Sequence, residues 1–136
     1  MIFTRKSDYA LRAVDYLVRF EREHPSSDAN ATTVKLAKEM EIPYRFLRSI
    51  IKELCAANIV KSQRGNLGGI RLARPSSDIS IYDVLMAIDA RAVAVNQCTL
   101  HAGCPRKQVC TIHTKMTKLQ QIINDQLSGI RFSDSF

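Results

Sequence analysis

The stretch TTVKLAKEMEIPYRFLRSIIKELC, residues 32–55, decides the fold of this chain. Its first half predicts a short helix, which a threonine at 32 or 33 can cap and whose inner side holds Val34, Ala37 and Met40. Pro43 stands where the next helix can begin, because the first turn of a helix tolerates its missing N–H. Two helices joined by a tight turn at 41–42 predict a helix-turn-helix.

The helix that follows Pro43 has an apolar side and a basic, polar side. Residues at helical spacing that are predicted to face the core are Phe46, Leu47, Ile50, Ile51, Leu54 and Cys55. The opposite side carries Tyr44, Arg45, Arg48, Ser49 and Lys52. A basic, polar outer face suits a helix that enters the major groove of DNA.

The residues after this helix predict a strand, a turn and a second strand. The strands are residues 59–64 and 70–74, and the turn is GNLGG at 65–69. Gly65, Gly68 and Gly69 allow a positive φ and a close approach of the backbone to a phosphate strand, and Arg64 can reach into a minor groove. A hairpin in this position predicts the wing of a winged helix.

Positive charge is concentrated in the same part of the chain. The 136 residues carry 20 Lys and Arg against 13 Asp and Glu, a formal net charge of +7. Residues 43–75 hold seven basic side chains and one acidic one, whereas residues 1–42 hold seven of each kind. A concentrated positive field attracts phosphates, so the charge predicts double-stranded DNA as the partner.

The sequence argues against membrane proteins and enzymes. No apolar run approaches the roughly 20 residues that cross a bilayer, so we expect a cytoplasmic protein with no membrane partner. A phosphate-binding loop, a nucleophile elbow and paired carboxylates are all missing from the sequence, so we expect no enzyme activity.

The remaining segments predict further helices on both sides of the basic window. A first helix is expected from Ser7 or Asp8 to about Arg22, and a capping-box pattern at 80–83 predicts another. From about Thr111, apolar residues at helical spacing predict a long amphipathic helix for a homodimer interface. The last six residues, 131–136, are expected to be a frayed tail.

These segments predict a mostly α fold, a winged helix-turn-helix with a small β-hairpin wing and a long C-terminal dimerisation helix. Residues 1–78 are expected to form the DNA-binding domain. Residues 79–136 are expected to hold the cysteine loop and the dimerisation helix.

Three of the four cysteines lie close together with a histidine. Their pattern is Cys98-x5-Cys104-x5-Cys110-x2-His113. Thiolates suit iron–sulfur clusters or zinc, and zinc usually prefers pairs two to four residues apart, which favours an iron–sulfur cluster here. Two alternatives keep DNA binding but use the cysteines for structural zinc or for a thiol–disulfide switch. An iron–sulfur carrier ranks last, because it has no use for a wing.

The helix-turn-helix, the wing string RGNLGGIRLA at 64–73 and the three-cysteine loop together resemble the Rrf2 family of bacterial winged-helix transcription regulators. The resemblance covers nearly the whole chain. It implies a homodimer that binds a near-palindromic operator, and a 2Fe-2S or 4Fe-4S cluster whose state controls that binding.

The resemblance also implies individual residue roles. Cys98, Cys104 and Cys110 match the family's cysteine ligands. His113 matches the fourth ligand of the Isc-type members, which hold a two-iron cluster. Asp8 matches the Nsr-type position, where the partner subunit's aspartate completes a four-iron cluster. Asp8 also lies where a helix N-cap is expected, so capping alone can explain it.

In the DNA-binding region the resemblance points to one set of residues. Base or phosphate contacts fall at Tyr44, Arg45, Arg48 and Ser49, and the minor-groove contact falls at Arg64 beside Gly65. Lys52, Lys61, Arg71 and Arg74 are interpreted as phosphate contacts or solvated charges.

Overall fold

The computed structural model describes residues 2–64, 69–100 and 103–134, and within these ranges the chain is mostly helical. The helices are α1 (Arg5–Glu23), α2 (Thr33–Glu39), α3 (Tyr44–Ala56), α4 (Ile81–Ile88), α5 (Gln97–Leu100) and α6 (Thr111–Gly129). Strands β1 (Val60–Gln63) and β2 (Gly69–Leu72) form an antiparallel hairpin, with Val60 opposite Leu72. The predicted fold class, a helix-turn-helix followed by a hairpin wing, is confirmed.

Helix α1 begins earlier than the sequence predicts. The Thr4 side chain caps it by accepting the backbone N–H of Ser7 at 3.2 Å. Asp8 therefore lies inside the first turn, and its interpretation as the N-cap is wrong. The cap lies at Thr4 because a threonine hydroxyl can satisfy an N–H that the first turn leaves without a partner.

A tight turn connects α2 to α3. Glu41 adopts a positive φ of 54°, and the backbone N–H of Ile42 donates to the carbonyl of Ala37 at 2.9 Å. The Ile42 side chain is buried, which anchors the turn in the core. Thr32 caps α2 by accepting the N–H of Lys35. The chain thus reverses direction within a few residues, as the helix-turn-helix prediction requires.

Two of the predicted core residues in this motif are exposed instead. Val34 is 66% exposed and Phe46 is 56% exposed, so both predictions are wrong. Each residue occupies the edge of an apolar stripe, and successive residues of a helix point about 100° apart. Helix α2 buries Leu36 and Ala37, while α3 buries Leu47, Ile50, Ile51 and Leu54.

The hairpin is attached to the helical body through β2. Ala31 and Ile70 exchange two backbone hydrogen bonds, of 2.9 and 2.8 Å. Gly69 has a φ of 151°, and a Cβ placed on it would lie 2.4 Å from the Ala31 carbonyl oxygen. The close approach that Gly69 permits is therefore to its own chain rather than to a phosphate strand. Gly65 and Gly68 lie outside the described residues.

The core extends past residue 78. Ile79, Val84 and Ile88 join the same cluster of buried residues as α1 and α3. The predicted capping box of α4 is confirmed, since Ser80 and Asp83 exchange two hydrogen bonds of 2.8 and 3.1 Å. A single core thus holds residues from both sides of the predicted domain boundary, which stays a prediction.

The chain returns to this core after α6. The backbone of Ile81 donates to Ile130, and the backbone of Phe132 donates to Ile79, each at 3.0 Å. The Phe132 side chain packs against the core. Over residues 131–134 the expectation of a frayed tail is wrong, because backbone pairing and an aromatic contact hold this segment; residues 135–136 lie outside the described residues.

Gly69→Ala is expected to destabilise the protein by more than about 2 kcal/mol, because a φ of 151° is accessible essentially only to glycine and the new methyl would meet the Ala31 carbonyl. Urea unfolding followed by circular dichroism measures the change. Gly129→Ala is the matched control, since no atom lies within 4 Å of its added Cβ. Equal midpoints for the two variants would contradict the packing argument.

Candidate nucleic-acid interface and metal centre

Helix α3 presents the predicted DNA-contacting residues on one exposed face. Tyr44 is 47% exposed, and Arg45, Arg48 and Ser49 are exposed beside it. The apolar side chains of α3 pack inward, which forces the basic and polar ones outward. Phe46 lies on this face too, although sequence periodicity placed it in the core.

The charges of this face are left available for a partner. Among the described residues, no carboxylate forms an ion pair with Arg45, Arg48 or Arg64. The single acidic residue of the 43–75 window, Glu53, pairs instead with Lys6 of α1, with Nζ and Oε1 2.6 Å apart. The net field around α3 is therefore positive, and it suits a polyanion.

Residues of the wing fall into two groups. Arg64 follows β1 and is exposed, in keeping with a free cation at the edge of the hairpin. Gly65 lies outside the described residues. Arg71 is held by the protein itself, since its guanidinium donates to the carbonyl of Ser27.

Glu21 lies in the field of Arg71. Burial raises the pKa of the Glu21 carboxyl, while the Leu72 backbone N–H and the charge of Arg71 act to lower it. Arg71 therefore has intramolecular partners that a contact with DNA would have to displace, and its role in DNA binding stays a prediction.

The three clustered cysteines lie on both sides of a loop. Cys98 lies in α5, Cys104 in the irregular segment that follows, and Cys110 caps α6 by accepting the backbone N–H of His113 at 3.4 Å. All three are half-buried free thiols. The sulfur of Cys110 thus already accepts the kind of hydrogen bond that tunes cluster ligands.

His113 lies at the start of α6 with an unsatisfied ring nitrogen. Its Nδ1 is buried and has no hydrogen-bond partner within the described part of the chain. A buried polar atom without a partner costs free energy, commonly about 1–3 kcal/mol, unless a ligand or water satisfies it. The unsatisfied ring nitrogen leaves His113 available to a ligand, and its role as a metal ligand stays a prediction.

The predicted metal ligands do not converge on one point among the described residues. Across residues 2–64, 69–100 and 103–134, no group of three or more His, Cys, Asp or Glu side chains could hold a metal ion. The donor types nevertheless fit an iron–sulfur cluster, with three thiols and an unpartnered imidazole on one loop and helix start. A metal site is rarely formed before the metal binds. The free energy of metal binding therefore commonly supplies the energy that brings such ligands together.

Asp8, the alternative fourth ligand, is paired within its own helix. Its Oδ2 lies 2.6 Å from Nη2 of Arg12, one turn further along α1. The other arm of Arg12, Nη1, donates to the carbonyl of Met40 at 3.4 Å. Arg12 therefore links the first turn of α1 to the turn of the helix-turn-helix.

Gln120 fixes the segment that leads into the cysteine loop, and sequence reasoning missed it. Its Nε2 donates to the carbonyl of Val93 at 2.9 Å, and its Oε1 accepts the N–H of Val95 at 2.8 Å. A glutamine four residues after Met116 and three before Ile123, within an apolar side of the helix, is the signal that could have identified it.

Helix α6 leaves apolar side chains uncovered. None of its residues is fully buried, and Ile112, Leu119 and Ile122 are 55, 39 and 51% exposed. The helix does contact α4 and α5, so one side packs on the body while another carries these apolar residues. In the described ranges, no helix is both long enough and apolar enough to span a membrane.

Comparisons with known proteins agree on one family. The family described as "Rrf2: Iron-dependent Transcriptional regulator" matches residues 3–135. An HTH-type transcriptional regulator of Mycobacterium tuberculosis is 39% identical over 98 residues, which are 70% of this chain. The chain spans 56% of the length of that relative.

Two further comparisons cover almost the whole chain. The HTH-type transcriptional regulator IscR of Vibrio atlanticus is 28% identical over 134 residues, covering 98% of this chain and 74% of that protein. The solved structure of T. potens IscR superposes with a TM-score of 0.73 at 22% identity, covering 98% of this chain and 85% of that one. At that identity the structural likeness establishes the fold alone.

Gln120→Met is expected to release the base of the cysteine loop, because methionine keeps the volume but makes neither backbone hydrogen bond. Native-state hydrogen exchange at the Val95 amide should become at least tenfold faster, and the free energy of unfolding should fall by about 1–2 kcal/mol. Gln121→Met is the matched control, since Gln121 is exposed and its side chain bonds Asp125. Unchanged hydrogen exchange at Val95 in Gln120→Met would show that the two Gln120 hydrogen bonds do not hold this segment.

Proposed function

The chain belongs to the Rrf2 family, whose members are transcriptional regulators rather than enzymes, and we propose that it is a dimeric DNA-binding regulator controlled by an iron–sulfur cluster. The observation that carries this proposal is the outer face of α3, the second helix of the helix-turn-helix. This face carries exposed basic and polar side chains directly after a tight turn. The comparisons support the regulatory role, and the cysteine loop supports the cluster.

The DNA-binding half rests on geometry and charge together. Tyr44, Arg45, Arg48 and Ser49 enter the major groove, and Arg64 contacts the minor groove from the wing. In a dimer the two copies of α3 bind half-sites about one helical turn (~34 Å) or a multiple apart, so the operator is a near-palindrome. Phosphate contacts by the remaining cations give most of the affinity and make it depend on salt.

The dimer half rests on α6. Ile112, Leu119 and Ile122 recur at intervals of seven and three, so they share one side of the helix. A second copy of the same helix is the natural cover, because a two-fold interface pairs a surface with itself. Such a dimer holds two α3 helices at a set distance.

The cluster is held by Cys98, Cys104 and Cys110, with His113 as the proposed fourth ligand. His113 is favoured because its buried Nδ1 has no hydrogen-bond partner among the residues that the structure describes. Asp8, by contrast, already pairs with Arg12 at 2.6 Å. With His113 the cluster is of the 2Fe-2S kind, and Asp8 from a partner subunit would instead complete a 4Fe-4S cluster. When bound, the cluster supplies a redox-sensitive group whose loss releases all its ligands.

Two residues of this chain link the ligand site to DNA binding. The two backbone hydrogen bonds of Gln120 connect α6 to the segment that leads into the cysteine loop, so a rearranged loop changes the helix that sets the dimer spacing. In the alternative in which Asp8 is the fourth ligand, Arg12 connects it to the Met40 carbonyl in the helix-turn-helix turn. Either contact allows a change at the cysteine loop or the start of α1 to alter the placement of α3.

The cluster proposal predicts that anaerobically purified protein is brown and contains iron and acid-labile sulfide. Cys98→Ala and His113→Ala are expected to lose the colour while keeping the folded far-ultraviolet spectrum, because neither side chain belongs to the core. Cys55→Ala is the matched cysteine control, since Cys55 lies on α3 against the core, away from the loop.

The result for Asp8→Ala decides the fourth ligand. If Asp8→Ala keeps the cluster, the result supports His113 as the fourth ligand. If Asp8→Ala loses the cluster and His113→Ala keeps it, the fourth ligand is Asp8. A colourless wild-type protein after attempted reconstitution would reject the cluster. It would favour zinc or a thiol–disulfide switch at the three partly exposed cysteines.

The DNA proposal predicts that Arg45→Ala and Arg48→Ala weaken operator binding about 5- to 100-fold, because each removes a contact to a base or a phosphate. Anisotropy titrations at several salt concentrations measure the effect. Loss of one phosphate contact lowers the steepness of the plot of log binding constant against log salt concentration by about 0.9. Arg91→Ala is the control cation, since Arg91 is exposed and paired with Asp89 outside the basic window. Equal losses in all three variants would contradict the assigned face.

A further inference from the structure

Phe46 is an apolar side chain in a place where the fold does not need one. It is 56% exposed, stands outside the buried core and lines a surface pocket of α3 together with Arg45 and Ser49. Burying a phenylalanine commonly stabilises a protein by about 1.5–3 kcal/mol, and this ring forgoes much of that gain. Its position therefore calls for an explanation beyond folding.

The ring of Phe46 is supported from behind rather than left free. The ring of Tyr9 lies 6.3 Å away between centroids and is tilted by 56°. Tyr9 is half-buried against the core, and the guanidinium of Arg12 lies 5.8 Å from the centre of its ring. Tyr9 thus supports one side of the Phe46 ring, and Arg12 in turn contacts Tyr9.

The surroundings of Phe46 define which chemistry it can meet. Phosphates and most base edges offer charge or hydrogen bonds, which a phenyl ring cannot satisfy. The C5-methyl group of thymine is the apolar group that the major groove presents, and phenylalanine is among the side chains that contact it. An exposed phenyl ring that packs against Tyr9 and lies among cations and hydroxyls is suited to that methyl group.

We propose that Phe46 is a specificity-determining residue that recognises one thymine in each operator half-site through its C5-methyl group. This inference rests on the proposed DNA-binding function and adds one named base to it. Arg45 and Arg48 of the same helix supply charge, while Phe46 supplies discrimination that charge cannot give. Two-fold symmetry of the dimer places one such thymine in each half of the near-palindrome.

The test begins by selecting binding sites from random double-stranded DNA with the full-length wild-type chain and with Phe46→Ala, each purified both aerobically and anaerobically. The wild type is expected to enrich a symmetry-related thymine pair that Phe46→Ala no longer enriches. Every thymine of the selected site is then replaced in turn by uracil, which lacks only the methyl group. At the enriched position, uracil should weaken wild-type binding about fourfold, the effect of losing one buried methyl group.

Phe46→Ala should bind the thymine and uracil sites equally, and Phe46→Leu should keep part of the thymine preference because it remains apolar. Phe3→Ala is the matched control, since Phe3 is 51% exposed but lies before α1; its thymine-to-uracil ratio should equal that of the wild type. Thermal unfolding of each variant verifies that the fold is kept.

Each alternative outcome overturns the inference in a recognisable way. If the wild type selects a DNA site but binds every uracil variant as well as thymine, Phe46 does not recognise a methyl group, while DNA binding stands. If Phe46→Ala weakens binding but keeps the wild-type ratio, the ring only supports α3 or contacts a partner protein. If the wild type enriches no DNA site in either preparation, the proposed function fails together with this inference.

Discussion

The packing of α1 against α3 is the constraint on which the rest of the structure depends. The buried side of α1 is made of Ala10, Ala13, Val14 and Leu17, all fully inaccessible to solvent. Two alanines in this face allow another helix to approach closely, and the apolar stripe of α3 contacts it there. Helices α2 and α4 and strand β1 also contact α3, so its apolar side is covered from several directions and its basic, polar side faces outward. The basic face for DNA is thus a consequence of core packing.

The same packing places α1 beside the parts of the molecule that we expect to respond to the cysteine loop. Lys6 pairs with Glu53 on α3, Tyr9 backs Phe46, and Arg12 reaches the Met40 carbonyl. All three contacts come from the first two turns of α1, where Asp8 also lies. The Lys6–Glu53 ion pair is partly exposed, and such pairs add little to stability, commonly less than about 1 kcal/mol. This ion pair can therefore rearrange at low cost, which suits a regulated element.

The C-terminal third is organised around backbone pairing instead of deep burial. Gln120 binds the segment before the cysteine loop, and residues 130–132 pair with the entry to α4. These polar contacts hold the middle of α6 and the segment after it to the body, while Ile112, Leu119 and Ile122 stay exposed. A helix held in this way is positioned for a partner, and a cluster in the adjacent loop would lie near the interface.

Much of this could be predicted from the sequence because the signals are local. A threonine cap, a proline at a helix start and apolar residues at helical spacing each act within one or two turns, so α2, α3 and the hairpin were predicted close to their observed bounds. The sequence also shows directly how much charge a segment carries and which ligand types it offers. These are the positive charge of residues 43–75 and the thiols and imidazole of Cys98, Cys104, Cys110 and His113.

Only the tertiary structure decided the rest, because those features depend on what a distant segment covers. Periodicity cannot say which edge of a stripe is buried, so Phe46 and Val34 were placed in the core although both are more than half exposed. Gly69 is needed because Ala31 lies against it, and Arg71 is engaged because Ser27 lies within its reach. The sequence by itself thus determined the elements and their chemistry, and packing between remote elements determined which side chains remain free to bind.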